Sequence, residues 1–182
     1  MARLPYVDPA QASTQVRDTF ARLPVPLRVF QMMAHAETAF RPLIALGTAI
    51  LGAQELSPTI RELVILRVAA LSPSRYEWGQ HVPIAQAVGA TAEQVAAIER
   101  GDADAACFDR RTQTALRFAT EVLRDVRASD ATFAAAAGVF SPREIVELIL
   151  TVGYYMTVAR ILETTAVDLD EPAGTLVTER LS

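Results

Sequence analysis

Apolar residues recur at steps of three and four along most of the chain, which is the period of a helix that buries one face. No segment alternates apolar and polar residues over a useful length, as a half-buried strand would. The pattern therefore predicts an all-α protein, a compact bundle of about eight helices. The clearest helical segments lie over residues 57–71, 109–127 and 141–162.

The segment 57–71 has the strongest helix signal in the chain. Ser57 suits the N-cap and Pro58 suits the first helical position, and the residues that follow are apolar nearly all round. A helix without a polar face belongs at the centre of a bundle. Its single acid, Glu62, needs a polar partner if it is buried there.

Caps and prolines mark the limits of other helices. Capping boxes at Thr91–Gln94 and Ser141–Glu144 predict two helix starts, and Pro83 should bend the helix that contains it. The segments 56–71 and 140–155 resemble each other, each with Ser-Pro at its cap. A repeated helical unit and a chance likeness of two capped apolar helices both explain that resemblance.

Length and composition indicate one domain in three parts. The 182 residues fit a single all-helical domain, with an N-terminal helical arm at 1–39, a core at 40–167 and a C-terminal tail at 168–182. The tail is polar, and we expect an arm or a disordered segment there. A hydrophobic fraction of 51% is high for a monomer and hints at a buried interface between copies.

Charge and cysteine content exclude several classes of function. A net charge of -4 with scattered acids does not suit nucleic acid or an anionic membrane. All 17 cationic side chains are arginine, which excludes Schiff-base chemistry through lysine. One cysteine, Cys107, excludes an intramolecular disulfide and a Cys-x-x-Cys site. Without a signal pattern or a charge-free apolar run of about 18 residues, we expect a soluble cytoplasmic protein.

The candidate chemistry lies just after the central helix. Glu77 and His81 are four residues apart, so a helix places them on one face, where a carboxylate can orient an imidazole as an acid–base pair. Tyr76 and Trp78 bring bulky apolar groups to the pair, and Glu62 lies in the apolar helix before it. The alternative for this spacing is a solvated surface pair.

Two other functions of the same window stay open. Glu62, Glu77 and His81 could hold a divalent metal, although zinc usually takes more histidine or cysteine ligands. Arg75 could clamp a substrate carboxylate bidentately, although such a residue is more often solvated or ion-paired. We expect no metal and no cofactor.

A superfamily resemblance is carried by two stretches, R-E-L-V-I-L-R-V-A and Y-E-W-x-x-H-x-x-x-A-x-x-x-G. They resemble the carboxymuconolactone decarboxylase and alkylhydroperoxidase D superfamily, and the likeness covers residues 40–100 well and 141–162 more loosely. It implies a helical bundle of the alkylhydroperoxidase D-like type. It also implies a homotrimer or homohexamer with sites near the subunit contacts, and a small-molecule substrate.

The peroxidase branch of that superfamily uses Cys-x-x-Cys-x-x-x-His, with a glutamate twelve residues before the first cysteine. Laid on this sequence, the glutamate matches Glu62 and the histidine matches His81, but the cysteines fall on Ser74 and Glu77. Thiol peroxidase chemistry needs one thiolate to attack the peroxide and a second thiol to resolve the product. The sequence therefore argues against a thiol peroxidase.

The decarboxylase branch is the better match, because it also resembles this chain in having a glutamate four residues before the histidine. The resemblance implies a cofactor-free carboxy-lyase or isomerase for a small unsaturated carboxylic acid or lactone. In such a site His81 would shuttle the proton, Glu77 would orient it and Glu62 would complete a polar patch. The predicted substrate contacts are Ser74, Arg75, Tyr76 and Trp78.

An alternative from another class is a catalytically silent member of the fold that serves as an assembly or binding protein. That alternative predicts Glu77 and His81 in water, with no enclosed cavity beside them. A metal-dependent enzyme is expected less, and a thiol peroxidase least.

Overall fold

The structure is a computed structural model that describes residues 1–177. Over these residues it contains nine α-helices, one short 3₁₀ helix and no strand, so the predicted all-α class is confirmed. The helices are α1 (Thr14–Phe20), α2 (Arg28–Met33), α3 (Glu37–Gly52), α4 (Pro58–Leu71), α5 (Arg75–Ala87), α6 (Ala92–Glu99), α7 (Arg110–Asp125), α8 (Asp130–Ala137) and α9 (Pro142–Thr165), with the 3₁₀ helix at Gly174–Val177.

The centre of the bundle is α4. Every residue from Ile60 to Ala69 is buried, and the helix packs against α5, α6, α7 and α9. The prediction that this apolar segment lies at the centre is confirmed. The predicted cap differs in detail, because the Ser57 side chain makes no capping hydrogen bond. Pro58 starts the helix with its fixed backbone angle.

The second long core helix, α9, lies against α4. Its predicted capping box is present, since the Ser141 hydroxyl accepts from the Glu144 N–H and the Glu144 carboxylate accepts from the Ser141 N–H. The box at Thr91 and Gln94 is present as well. By length and composition alone α9 is apolar enough to cross a membrane, and 44% of its most apolar window is buried inside the protein.

The N-terminal arm is less helical than its pattern predicts. The helices expected over about 9–23 and 26–34 are shortened to α1 and α2, with Pro24 and Pro26 in the link between them. The arm nevertheless packs closely on the core. Its buried residues form one apolar cluster with residues of α3, α5 and α9, namely Val16, Phe20, Leu27, Val29, Met33, Ala34, Phe40, Tyr76, Val158 and Leu162.

The segment that follows α9 turns back over the arm and α5. Asp168 accepts a hydrogen bond from the Tyr6 hydroxyl at 2.9 Å, and Asp170 accepts one from the Tyr76 hydroxyl at 2.5 Å. The described part of the predicted tail is thus tied to the body of the protein by two carboxylates. Residues 178–182 of that tail lie outside the described residues.

Candidate active site

The candidate site is assembled where α4, α5 and α9 meet. A short turn at 72–74 joins α4 to α5, so Glu62 of the first helix faces His81 of the second. Because α9 packs on α4, it brings Tyr154 and Tyr155 to the same place. Side chains from distant parts of the sequence therefore converge on one imidazole.

Glu62 and His81 form a buried acid–imidazole pair. The Glu62 Oε2 atom lies 2.8 Å from His81 Nδ1, and the other carboxylate oxygen accepts a hydrogen bond from Arg61 Nε at 3.1 Å. With Nδ1 donating its proton to the carboxylate, the ring keeps Nε2 as a free acceptor. The Tyr155 ring packs against the imidazole in a T-shaped contact, with the two ring centroids 4.9 Å apart. The arrangement suits a general base with a fixed tautomer.

The structure corrects the role predicted for Glu77. Neither of its carboxyl oxygens has a hydrogen-bond partner among residues 1–177, so Glu77 does not orient His81; Glu62 does. A four-residue spacing sets which face of a helix two side chains share, but here the neighbouring helix aims a second carboxylate directly at Nδ1.

Glu77 is instead a buried carboxyl to which no group of the described chain makes a hydrogen bond. The side chain is 2% exposed, and burial is the main cause that raises its pKa to about 8. The charge of Glu163 adds to the rise in pKa, and the Ser74 hydroxyl opposes it. That hydroxyl lies beside the carboxyl but lacks the geometry of a hydrogen bond. At neutral pH Glu77 is therefore mainly a neutral carboxylic acid.

A cavity of about 110 Å³ opens beside these groups, with mostly apolar walls. The apolar lining consists of Leu23, Pro24, Leu27, Val29, Phe30, Met33, Ile44, Gly47, Leu51, Ile84 and Val158. The polar side chains of the lining are Thr48, Tyr76, Glu77, Gln80, His81, Tyr154 and Tyr155. The cavity suits one small organic molecule that is largely apolar and has a few polar atoms.

Four side chains are predicted to contact a substrate, and Tyr76 is the one of the four that lines the cavity. Its hydroxyl is engaged by Asp170, and burial raises the phenol pKa well above its ordinary value. Arg75 is exposed and Trp78 packs against the main core, because both positions of α5 turn away from the cavity. Ser74 is buried beside the Glu77 carboxyl and does not line the cavity.

Sequence reasoning missed two parts of the site. The Tyr154 hydroxyl lies against Gly47 of α3, where an added Cβ would overlap it. Burial, with a contribution from Glu77, raises the pKa of Tyr154 to about 12. The small residue at position 47 is a sequence signal for the close approach of α3 to another helix, which in the structure is α9. No local signal marked the N-terminal arm as a wall of the cavity, to which it contributes Leu27 and Phe30.

The three residues considered as metal ligands are not grouped as a metal site. Within residues 1–177, no three side chains of His, Cys, Asp or Glu lie close enough together to hold a metal ion. Glu62 and His81 bond each other, and Glu77 stands apart from that bond.

The fold is of the AhpD-like helical type, which three solved structures share. An AhpD-core, uncharacterized peroxidase-related protein from Ralstonia eutropha JMP134 has 18% identity and a TM-score of 0.79, over 93% of this chain and 92% of that one. A similar protein from Silicibacter sp. TM1040 has 18% identity and a TM-score of 0.76 over the same shares. A protein of unknown function from Agrobacterium tumefaciens, described as a candidate antioxidant defence protein AhpD, has 18% identity and a TM-score of 0.68, over 82% of this chain and 99% of that one.

Part of the sequence also matches a family model. Residues 37–121, which include Glu62, Glu77 and His81, match the Carboxymuconolactone decarboxylase family. No curated protein matches the chain. This match and the fold support the superfamily resemblance that the sequence predicts.

Proposed function

We propose that the protein is a cofactor-free lyase or isomerase, which acts in the cytoplasm on a small unsaturated carboxylic acid or lactone. The observation that carries this proposal is the 2.8 Å contact of Glu62 with His81 Nδ1 beside an apolar cavity. It supplies a base of defined tautomer beside apolar walls that disfavour water. Proton transfer to and from carbon needs both.

His81 Nε2 is the atom that moves the proton. In an isomerisation it takes a proton from carbon, and the C–H electron pair shifts through the unsaturated system toward the carbonyl oxygen. The imidazolium then returns the proton at another carbon. In a decarboxylation the bond to the carboxylate breaks instead, carbon dioxide leaves, and protonated His81 delivers its proton to the carbon left behind. Glu62 stabilises the imidazolium in both reactions.

Burial of the site favours this function over a catalytically silent assembly or binding protein. A silent member would leave His81 and Glu77 in water, whereas they are 8% and 2% exposed beside a cavity. Peroxidase chemistry, which the names of the structural neighbours suggest, is disfavoured. Ser74 and Glu77 stand where the two thiols would be, and Cys107 does not line the cavity.

We also propose that copies of the chain assemble as a homotrimer or homohexamer. Val146, Ile149 and Leu150 lie on one face of α9 and are 55%, 42% and 45% exposed. Phe133 of α8 is 50% exposed and lines a shallow groove with Ile149. Light scattering on the purified protein should give three or six times the chain mass of 19.7 kDa, and a monomer at micromolar concentration would contradict this proposal.

A panel of compounds in deuterium oxide tests the catalytic proposal. The protein is incubated with unsaturated lactones, unsaturated ketones and vinylogous carboxylic acids, with a metal chelator present throughout. Proton NMR then follows hydrogen exchange at carbon, double-bond migration and loss of the carboxylate. We expect at least one compound class to react faster than in buffer. Binding without any such reaction would instead support the silent alternative.

A further inference from the structure

Two hydrogen-bond donors of the cavity have no acceptor within the described protein. The Glu77 carboxyl is buried with both oxygens unpaired, and Ser74 beside it is unpaired as well. The Tyr154 hydroxyl lines the same cavity and has no hydrogen-bond partner in residues 1–177. Buried polar groups are almost always paired, so unpaired donors at a cavity mark the place of a ligand atom.

The charges around the cavity decide what kind of ligand atom that is. Among residues 1–177 no arginine lines the cavity, and Glu163 adds negative charge on the α9 side. Tyr154 and Tyr155 are neutral, since burial raises the pKa of both phenols. His81 is bonded through Nδ1 to the carboxylate of α4. A ligand carboxylate would therefore be buried here without an arginine of the described chain and near the charge of Glu163, which is unfavourable. A neutral oxygen acceptor avoids that cost.

We propose that the Glu77 carboxyl and the Tyr154 hydroxyl together donate hydrogen bonds to the carbonyl oxygen of an uncharged, apolar carbonyl compound, such as an unsaturated lactone or ketone. The catalytic use of this donor pair rests on the proposed function and narrows its substrate class to the uncharged members. Gly47 of α3 leaves room for the Tyr154 hydroxyl, because a Cβ at that position would overlap the oxygen.

The donor pair and His81 then have separate roles in one proton transfer. The base removes a proton from carbon, and the electron pair of that C–H bond moves to form a C=C bond while the carbonyl electrons move onto oxygen. Two donors aimed at that oxygen stabilise the developing charge in a dry site. The same proton returns at the far carbon and the carbonyl reforms, so no oxidant or reductant is consumed.

Two compounds with the same six-membered ring, cyclohexenone and cyclohexenecarboxylate, probe the donor pair directly. Calorimetry gives their affinities, and difference infrared spectroscopy gives the carbonyl stretch of bound cyclohexenone. In the wild type we expect the ketone to bind more tightly than the carboxylate, with its stretch shifted to lower frequency. Each hydrogen bond contributes about three- to tenfold in affinity. Tyr154→Phe and Glu77→Leu should each lose about that much and part of the frequency shift, while Glu77→Gln, which keeps a donor, should lose less.

The pH dependence and one further variant separate this inference from the catalytic proposal. Ketone affinity should fall above about pH 8 in the wild type as Glu77 ionises, and stay level in Glu77→Gln. His81→Asn should keep the infrared shift even though it loses proton transfer, so a catalytic failure leaves the donor pair testable. Tighter binding of the carboxylate, or an unchanged stretch in both Tyr154→Phe and Glu77→Leu, would overturn the inference.

Discussion

Glu62 and His81 are 19 positions apart in the sequence, and the carboxylate oxygen of one lies 2.8 Å from Nδ1 of the other in the interior of the protein. Arg61 holds the second oxygen of the same carboxylate. The imidazole is thus fixed on one side by a charged pair from the central helix and open on the other side to an apolar cavity. The catalytic proposal depends on this asymmetry.

Replacing Glu62 by glutamine should remove the stabilisation of the imidazolium while keeping the size of the side chain. We expect catalysed proton transfer to fall by about 10²–10⁴-fold, the usual contribution of a positioned acid or base. Nitrogen NMR of the ring should also show a changed tautomer population, because an amide can donate to Nδ1 as well as accept from it.

The matched control for Glu62→Gln is Glu147→Gln. Glu147 is also buried, but its carboxylate accepts from the backbone N–H groups of Glu55 and Leu56, away from the cavity. Equal losses of activity in the two variants would show that Glu62 acts only through the stability of the fold.

Glu77→Gln should change how stability depends on pH. The carboxyl keeps its proton to about pH 8 in the folded chain and loses it near 4.5 when unfolded. Between those values the folded state binds more protons, so this group lowers the free energy of unfolding as pH rises from about 4.5 to about 8. The free energy of unfolding, measured by denaturation at pH 5 and pH 8, should rise in the variant relative to the wild type by on the order of 1 kcal/mol per pH unit. A difference between the two proteins that does not vary with pH would refute a protonated Glu77.

Gly47→Ala should disturb Tyr154, because the added methyl would overlap the tyrosine hydroxyl. We expect a loss of about 1–3 kcal/mol in the free energy of unfolding, as is usual for overpacking. Removing the hydroxyl with Tyr154→Phe should recover part of that loss in the double variant. Gly153→Ala is the control, since a Cβ there meets nothing within 4 Å, and it should stabilise α9 by about 0.5–1 kcal/mol.

The helices of the core are readable from sequence because their signals are local. Apolar residues all round the segment 57–71 place it at the centre, and the capping boxes at Thr91 and Ser141 fix two helix starts through contacts within four residues. Pro42 is an exception to the local rules that predict helix ends. It lies inside α3, where intrinsic propensity would end a helix, although only Phe40, Gly47 and Ile50 of that helix are buried.

The sequence predicts most residues of the site, but it does not predict which of them are hydrogen-bonded to each other. Helical spacing brings Glu77 and His81 to one face, but the choice between Glu62 and Glu77 as partner depends on how α4 and α5 lie against each other. The bond from Tyr76 to Asp170 joins residues 94 positions apart and follows from the path of the chain after α9. No spacing rule encodes such a contact.

The most direct measurement compares wild type, His81→Asn and His35→Asn on a compound that the wild type converts, by following its hydrogens in deuterium oxide. His35, the other histidine of the chain, contacts the Pro5 carbonyl at 2.7 Å, away from the cavity, and serves as the control. His81→Asn should lower kcat/KM by about 10²–10⁴-fold, while His35→Asn should leave it within a few-fold. Turnover by a folded His81→Asn variant within a few-fold of wild type would contradict the role of His81 as the proton carrier.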